Sequence, residues 1–130
     1  ARVMRRGNTL VLLAFGSVLP AAAKIAEILN ATLVDMRFVK PLDEGLLREL
    51  AGSHARFVTI EDNAVMGGAG SAVSEFFRHE AIVVDLLQLG LPDRYQEHAS
   101  REELLAEAGI DSNAIQAAIA ARWGGAVSGS

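Results

Sequence analysis

The 130-residue sequence contains no cysteine, one tryptophan, one tyrosine and three prolines. Without cysteine there is no disulfide, no thiolate metal site and no thiol nucleophile. Lysine and arginine together number 12 against 16 aspartates and glutamates, which gives a formal net charge of −4. Because nucleic-acid binding depends on a basic excess that neutralises phosphates, we predict no nucleic-acid partner.

Long hydrophobic runs are also missing from the sequence. No run approaches the roughly 20 apolar residues that a membrane-spanning helix needs, so we predict no membrane partner. The apolar segment at residues 10–15 follows several arginines and therefore imitates a secretory signal peptide. Gly16, Ser17 and Pro20 interrupt that segment, and a helical pattern continues beyond it. We interpret the segment as a strand of a globular fold.

The composition that remains is globular, with 51% hydrophobic and 22% charged residues. The length fits one domain with a single core. We assign residues 1–123 to that domain and expect a disordered tail over residues 124–130.

Predicted strands alternate with predicted helices along the chain. Extended segments at residues 2–6 and 9–15 flank Gly7-Asn8 and predict a β-hairpin with a charged edge strand. Further core strands are predicted at residues 32–36, 57–60 and 82–87. This order predicts an α/β fold with three layers and a mainly parallel sheet of about five strands, one of them an antiparallel edge strand.

Residue types that favour helix ends mark the predicted helices. Ser17, Asp43 and Ser100 are predicted N-caps, and Asn30 is a predicted stop. The helix after Ser100 is predicted to end near residue 108. Asp111 or Ser112 is then expected to cap a separate last helix.

Polar and glycine-rich segments follow the predicted strands at residues 16–17, 37–43, 61–70 and 90–93. Ligands of open parallel α/β sheets bind beyond the carboxyl ends of the strands. We therefore predict a rim at that edge. Arg37 could hold a phosphate or carboxylate in a bidentate contact, or it could pair with a neighbouring carboxylate or a subunit partner.

The other rim residues have equally ordinary structural interpretations. Gly67, Gly68 and Gly70 open a helix whose N-terminus attracts anions, yet they lack the spacing of nucleotide-binding loops, and a tight turn is favoured. Glu61 and Asp62 are adjacent, so they point to opposite faces of an extended chain and form a poor acid–base pair.

The three histidines, His54, His79 and His98, have no metal-ligand spacing to one another. We interpret each of them as solvated. The residues alone thus predict a rim that attracts anions and no self-sufficient catalytic set.

Three motifs in a fixed order then carry a resemblance. They are Arg37-Phe38-Val39-Lys40-Pro41-Leu42-Asp43, then Glu61-Asp62-Asn63 leading to Gly67-Gly68-Ala69-Gly70-Ser71, then Gly90-Leu91-Pro92-Asp93. Over residues 7–123 the sequence resembles the C-terminal domain of the 1-deoxy-D-xylulose-5-phosphate synthases. Its Pro-Leu-Asp triplet alone also fits the wider transketolase C-terminal family, including β subunits of 2-oxoacid dehydrogenases.

The resemblance implies a transketolase C-terminal domain-like fold. It also implies a parent enzyme that condenses pyruvate with glyceraldehyde 3-phosphate, releases carbon dioxide and uses thiamine diphosphate and Mg²⁺. That enzyme is expected to be a cytoplasmic homodimer whose product feeds isoprenoid and thiamine biosynthesis. Alternatives are the C-terminal domain of a related transketolase or 2-oxoacid dehydrogenase β subunit, or a free-standing interaction or regulatory module.

The upstream domains of that enzyme, with the Gly-Asp-Gly…Asn element that holds magnesium diphosphate, are absent from this sequence. We therefore expect the isolated chain to be inactive and to bind no cofactor, and we assign no catalytic, cofactor-binding or metal-binding residue. The upstream domains are its expected partners. The residues expected to shape a rim or interface are Arg37, Lys40, Glu61, Gly67, Gly68, Gly70 and Asp93.

Overall fold

A computed structural model describes residues 1–37, 41–62, 68–92 and 100–124. The strands are β1 (Arg2–Arg5), β2 (Val11–Phe15), β3 (Thr32–Asp35), β4 (Arg56–Asp62) and β5 (Asp85–Leu91), and the helices are α1 (Leu19–Leu29), α2 (Glu44–Ala51), α3 (Ala69–His79) and α4 (Arg101–Trp123). The strands form one sheet in the order β1-β3-β2-β4-β5. Strand β1 is antiparallel to β3, and the other pairs are parallel. The predicted fold class is confirmed.

Strand β2 lies at the centre of the sheet. Its five residues, Val-Leu-Leu-Ala-Phe, are all buried, and β3 and β4 occupy its two edges in parallel register. An uninterrupted apolar run is what a parallel strand covered on both faces requires. The interpretation of this segment as a core strand is confirmed.

Helices cover both faces of the sheet and make the three layers. On one face α1 and α4 pack against Leu12, Val58 and Ile60. On the other, α2 and α3 pack against residues that include Leu13 and Phe57. Because successive residues of β4 point to opposite faces, this strand contributes to both cores.

The predicted hairpin between β1 and β2 is wrong. Strand β3 lies between them, and the Arg5 guanidinium donates to the carbonyls of Ala26 and Ala31 at 2.9 and 2.7 Å, where α1 turns into β3. The next residues cross this corner, since the Asn8 N–H donates to the Asn30 carbonyl at 2.9 Å. The Gly7-Asn8 pair therefore lies where the chain crosses the corner between α1 and β3. It does not form the two-residue turn of a hairpin.

The fourth predicted core strand begins three residues too early. The apolar residues Ile82 and Val84 pack against the α2–α3 core before the strand begins, and β5 runs from Asp85 to Leu91. Register with β4 sets these limits, because Arg56 pairs with Asp85 and Asp62 pairs with Leu91. The apolar residues before Asp85 therefore indicate burial, whereas the hydrogen-bonded pairing with β4 determines where the strand begins and ends.

The last two predicted helices are one continuous helix of 23 residues, α4. Ser100 caps it as predicted, accepting the Glu103 N–H at 3.1 Å. The predicted second start is wrong, because the Ser112 hydroxyl donates back to the Gly109 carbonyl at 2.9 Å and does not cap a new helix. At the far end the Trp123 indole N–H donates to Asp85 Oδ2 at 2.7 Å, and this bond together with Arg122 lowers the Asp85 pKa below its usual 3.8.

The structure confirms two of the other predicted helix ends. Asp43 caps α2, since its Oδ1 accepts the Leu46 N–H at 3.2 Å. Asn30 ends α1 in the left-handed conformation at φ 52°. Within the described part of the chain, no helix is both long and apolar enough to cross a membrane.

Candidate functional site

The carboxyl ends of the parallel strands meet at one edge of the sheet, where the sequence places its rim residues. Of the seven residues expected there, Arg37, Glu61, Gly68 and Gly70 are described, whereas Lys40, Gly67 and Asp93 lie outside the described residues. The four described residues follow β3 and β4 or begin α3. The local chemistry of each one decides what the edge can do.

Glu61 is buried near the end of β4 and points to the face covered by α2 and α3. Its Oε2 accepts the backbone N–H of Ala69, the first residue of α3, at 3.0 Å. The first N–H groups of a helix have no partner within the helix, and the positive end of the helix dipole favours a carboxylate. Glu61 therefore fixes the start of α3 to the sheet.

Asp62 performs the corresponding task on the opposite face. It is 4% exposed, and its Oδ2 accepts the Ser17 hydroxyl at 2.8 Å. The prediction that Ser17 caps α1 is wrong: Val18 is the N-cap and makes no side-chain cap bond. A charge-assisted bond to a buried carboxylate is stronger than a neutral cap bond, so the Ser17 hydroxyl binds Asp62 and does not cap α1. The predicted divergence of Glu61 and Asp62 is confirmed.

Gly68 is favoured by its backbone conformation, whereas Gly70 makes room for a side chain. Gly68 is the N-cap of α3 with φ 74°, a left-handed conformation that side chains disfavour. A Cβ on Gly70 would lie 2.5 Å from Gln88 Oε1, so the Gln88 side chain occupies the space that a larger residue in α3 would need. The conformation of Gly68 favours the tight-turn interpretation of this segment.

Arg37 follows β3 and is more than half exposed. Its Nε lies 3.7 Å from Asp35 Oδ2, so it makes the ion pair with a neighbouring carboxylate that the sequence left open. Its backbone has φ 61°. A non-glycine residue in this conformation costs about 1 kcal/mol or more, and such residues cluster at functional sites.

A cavity of about 240 Å³ opens at the same edge, between the start of α1 and α4. Its lining includes Ser17, Pro20, Pro92, Leu104 and Glu107. Sequence reasoning missed this cavity, because it depends on α4 continuing without a break past Gly109. Ligand pockets usually measure about 300–1,000 Å³, so this cavity fits a side chain better than a substrate.

Another sequence interpretation, that of a solvated His54, is wrong. The His54 Nε2 lies 3.0 Å from Thr32 Oγ1, and its Nδ1 lies 3.1 Å from the Leu50 carbonyl. The half-buried ring thus links the end of α2 to the start of β3 at the opposite, amino edge of the sheet. His79 is exposed at the end of α3, and His98 lies outside the described residues.

The described residues form no metal-binding cluster. Within residues 1–37, 41–62, 68–92 and 100–124, no three His, Cys, Asp or Glu side chains come together as they would around a metal ion. The described carboxylates of β4 hold backbone and hydroxyl donors instead. In the described rim, Glu61 and Asp62 thus hold the starts of α3 and α1, and the exposed guanidinium of Arg37 lies at the same edge.

Comparison with known proteins agrees with this architecture. The family described as "Transketolase, C-terminal domain" matches residues 1–115. The chain is 62% identical to the 1-deoxy-D-xylulose-5-phosphate synthase of Thioalkalivibrio sulfidiphilus over 122 residues, which is 94% of this chain and 19% of that protein. It is also 62% identical to the synthase of Pseudomonas aeruginosa over 92% of this chain.

A solved structure gives the same result for the fold. The chain of a "Split gene transketolase, inactive beta4 tetramer" superposes with a TM-score of 0.66 at 31% identity, covering 90% of this chain and 41% of that one. The chain spans about a fifth of the length of the synthases that it matches. By its sequence and its fold, the chain belongs to the transketolase C-terminal domain family.

Proposed function

We propose that this chain is the C-terminal domain of a 1-deoxy-D-xylulose-5-phosphate synthase. The proposed parent enzyme joins pyruvate to glyceraldehyde 3-phosphate, giving 1-deoxy-D-xylulose 5-phosphate and carbon dioxide. It works as a cytoplasmic homodimer with thiamine diphosphate and Mg²⁺. The observation that carries the proposal is the 62% identity over more than nine-tenths of this chain to two bacterial synthases.

The residues described here do not fit the cofactor. A magnesium diphosphate group needs several converging oxygen ligands, and the rim carboxylates Glu61 and Asp62 are buried and already accept donors from Ala69 and Ser17. The proposal therefore places thiamine diphosphate on the part of the enzyme outside this chain. No catalytic step is assigned to a residue of this domain.

The role proposed for the domain is assembly and framing of the active site. Glu61 and Asp62 fix the starts of α3 and α1, which gives the edge a rigid outline. Arg37 extends from this edge with more than half of its side chain exposed. We propose that Arg37, Glu61, Gly68 and Gly70, together with Lys40, Gly67 and Asp93, frame the surface that faces the rest of the enzyme.

A domain exchange tests the proposed function. The C-terminal fifth of the Pseudomonas aeruginosa synthase is replaced by this chain, and formation of 1-deoxy-D-xylulose 5-phosphate is measured with purified enzyme. We expect the exchanged enzyme to be active and the same enzyme without a C-terminal fifth to be inactive. The matched control carries the corresponding domain of the split-gene transketolase, which should support far less activity.

Two results would contradict the proposed function. One is an exchanged enzyme that folds and is no more active than the truncated enzyme. The other is binding of thiamine diphosphate and Mg²⁺ by the isolated chain in calorimetry at micromolar concentrations, since the described residues offer no site for them.

A further inference from the structure

The last turn of α4, residues 120–123, has few apolar contacts with the rest of the domain. The buried residues of α4 end at Ile119; the next three residues are exposed, and Trp123 is half-buried. Trp123 follows Ile115 and Ile119 at a spacing of four, so it lies on the same face of the helix and packs at the margin of their core. The attachment of the last turn therefore depends on the polar bonds that its residues make.

A single carboxylate receives those bonds. The Trp123 indole N–H donates to Asp85 Oδ2 at 2.7 Å, and the Arg122 guanidinium donates to Asp85 Oδ1. Asp85 is the first residue of β5, which lies at one end of the sheet. Because two neighbouring residues of the turn bind the two oxygens of one side chain, the contact fixes the orientation of the turn as well as its position.

The negative charge of Asp85 is essential to this contact. The last carbonyl groups of a helix carry partial negative charge, which repels a carboxylate. Arg122 and Trp123 of α4 and Arg56 of β4 face the Asp85 carboxylate and offset that repulsion, and β5 has no other charged residue. Protonation of Asp85 removes the attraction to both arginines and turns one acceptor oxygen into a donor.

The preceding part of α4 is held in another way. Ile115 and Ile119 are buried against α1 and the sheet, and such apolar contacts do not depend on a titrating group. The Gly124 N–H donates to the Ala120 carbonyl and completes the last turn of the helix. Loss of the charge on Asp85 therefore weakens the attachment of the last turn and leaves the packed part of α4 in place.

We propose that the last turn of α4 is a conformational switch that the ionised carboxylate of Asp85 holds against β5. When that carboxylate is neutral, the turn separates from the sheet and Trp123 becomes exposed to solvent, while the rest of the domain stays folded. The turn follows residues 1–115, the region that the family model matches. The switch is therefore a feature of this chain beyond the matched region.

The direction of the pH dependence follows from the bonds to Asp85. The hydrogen bond from Trp123 and then that from Arg122 lower the Asp85 pKa below its usual 3.8. A lowered pKa means that the contribution of Asp85 to stability is complete above the unfolded value and is lost as the pH falls through the folded value. The turn is thus attached near neutral pH and separates in acid below pH 3.8.

An acid titration of the chain tests the switch. Trp123 is the only tryptophan, so its fluorescence reports on the last turn of α4. We expect the emission to shift to longer wavelength at a higher pH than that at which far-ultraviolet circular dichroism shows loss of the helices. In Asp85→Asn the shift should already be present at neutral pH. Coincident transitions in the unmodified chain, or unshifted emission of Asp85→Asn, overturn the proposal.

Hydrogen exchange near neutral pH locates the change within α4. Amides of residues 120–123 should exchange about tenfold faster in Asp85→Asn and in Arg122→Gln than in the unmodified chain, as loss of a charge-assisted bond predicts for local opening. Amides of residues 112–119 should keep their rates. Because Arg122→Gln retains the carboxylate and its bond to Trp123, it decides the question if Asp85→Asn does not fold.

The matched control is Glu75→Gln, which removes a carboxylate from an exposed ion pair with Arg78 on α3. It should leave the exchange of residues 120–123 and the Trp123 emission unchanged. Equal acceleration in Glu75→Gln, unchanged rates in Arg122→Gln, or equal acceleration along the whole of α4 would show that the last turn is no separate unit and would remove the switch.

Discussion

Arg37 combines an unfavourable backbone conformation with an exposed side chain. Its φ of 61° is shared by few other non-glycine residues of the described chain, among them Ala81 with φ 55°. Ala81 lies in the turn between α3 and β5, at the amino edge of the sheet. The two residues therefore have the same backbone conformation at opposite edges of the sheet. Substituting both distinguishes the conformational cost that they share from the effect of the Arg37 side chain on activity.

Glycine at these two positions makes a matched pair of variants. Arg37→Gly and Ala81→Gly both relieve a left-handed backbone, an effect offset by the greater freedom of glycine in the unfolded chain, so stability should change by less than about 1 kcal/mol. In the exchanged enzyme we expect Arg37→Gly to lower kcat/KM about tenfold, as loss of one charge-assisted contact does, and Ala81→Gly to leave it unchanged.

Melting temperature and steady-state kinetics on the same preparations check this prediction. Full activity of Arg37→Gly would show that the guanidinium only pairs with Asp35. Parallel losses of melting temperature and activity would point to the same structural role.

Among the elements, α4 departs furthest from sequence expectation. The sequence predicts a helix end near residue 108 and a new cap at Asp111 or Ser112, yet α4 continues through these positions and through Gly109. Packing on α1 and the sheet through Ile115 and Ile119, with the anchor of Trp123 on Asp85, stabilises the helix as a whole. A helix stabilised by its packed half can continue over one unfavourable glycine, which costs about 1 kcal/mol relative to alanine.

Gly109→Ala tests the continuity of α4. A Cβ at Gly109 would meet nothing closer than Lys24 Nζ at 3.7 Å. In a continuous helix we expect Gly109→Ala to raise the free energy of unfolding by about 0.5–1 kcal/mol. Chemical denaturation of the isolated chain measures this change.

The control is Gly68→Ala, where a Cβ also has open space but φ is 74°. There we expect destabilisation by about 1 kcal/mol or more, because alanine disfavours the left-handed conformation. Destabilisation by Gly109→Ala of similar size would mean that α4 breaks at that position.

At the scale of the whole molecule, the position of β1 depends on one close approach. Gly7 lies against the corner where α1 turns into β3, and a Cβ there would be 2.0 Å from the Asn30 carbonyl oxygen. The Gly7 N–H also donates to Thr32 Oγ1 at 3.0 Å. This contact takes the chain from the edge strand β1 across the corner to the central strand β2.

Gly7→Ala should therefore destabilise the fold by about 1–3 kcal/mol, the usual cost of forcing extra atoms into a packed site. Gly45→Ala is the matched control, since Gly45 lies on the exposed face of α2 with nothing near its Cβ position, and it should be stabilising by about 0.5–1 kcal/mol. Urea unfolding of both variants measures these changes. A neutral Gly7→Ala would favour the hairpin that the sequence predicts over the crossing described here.

Local signals in the sequence determined much of this protein. Uninterrupted apolar runs identified the core strands, Asp43 and Ser100 identified helix starts, and the order of strands and helices determined a mainly parallel α/β sheet. The three ordered motifs identified the family. Each of these signals involves residues that are close together in the sequence, or the spacing of apolar residues along one element. A single sequence therefore contains them.

Contacts between distant segments decided the rest. Strand β1 pairs with β3 because Arg5 and Asn8 bind the corner at residues 26–31, and Ser17 turns to Asp62, which is 45 positions away. The unbroken α4 depends on the packing of Ile115 and Ile119 in the core shared with α1 and the sheet. These pairings depend on which buried donors and acceptors lie close together in the folded protein. The positions of the residues along the chain do not show this.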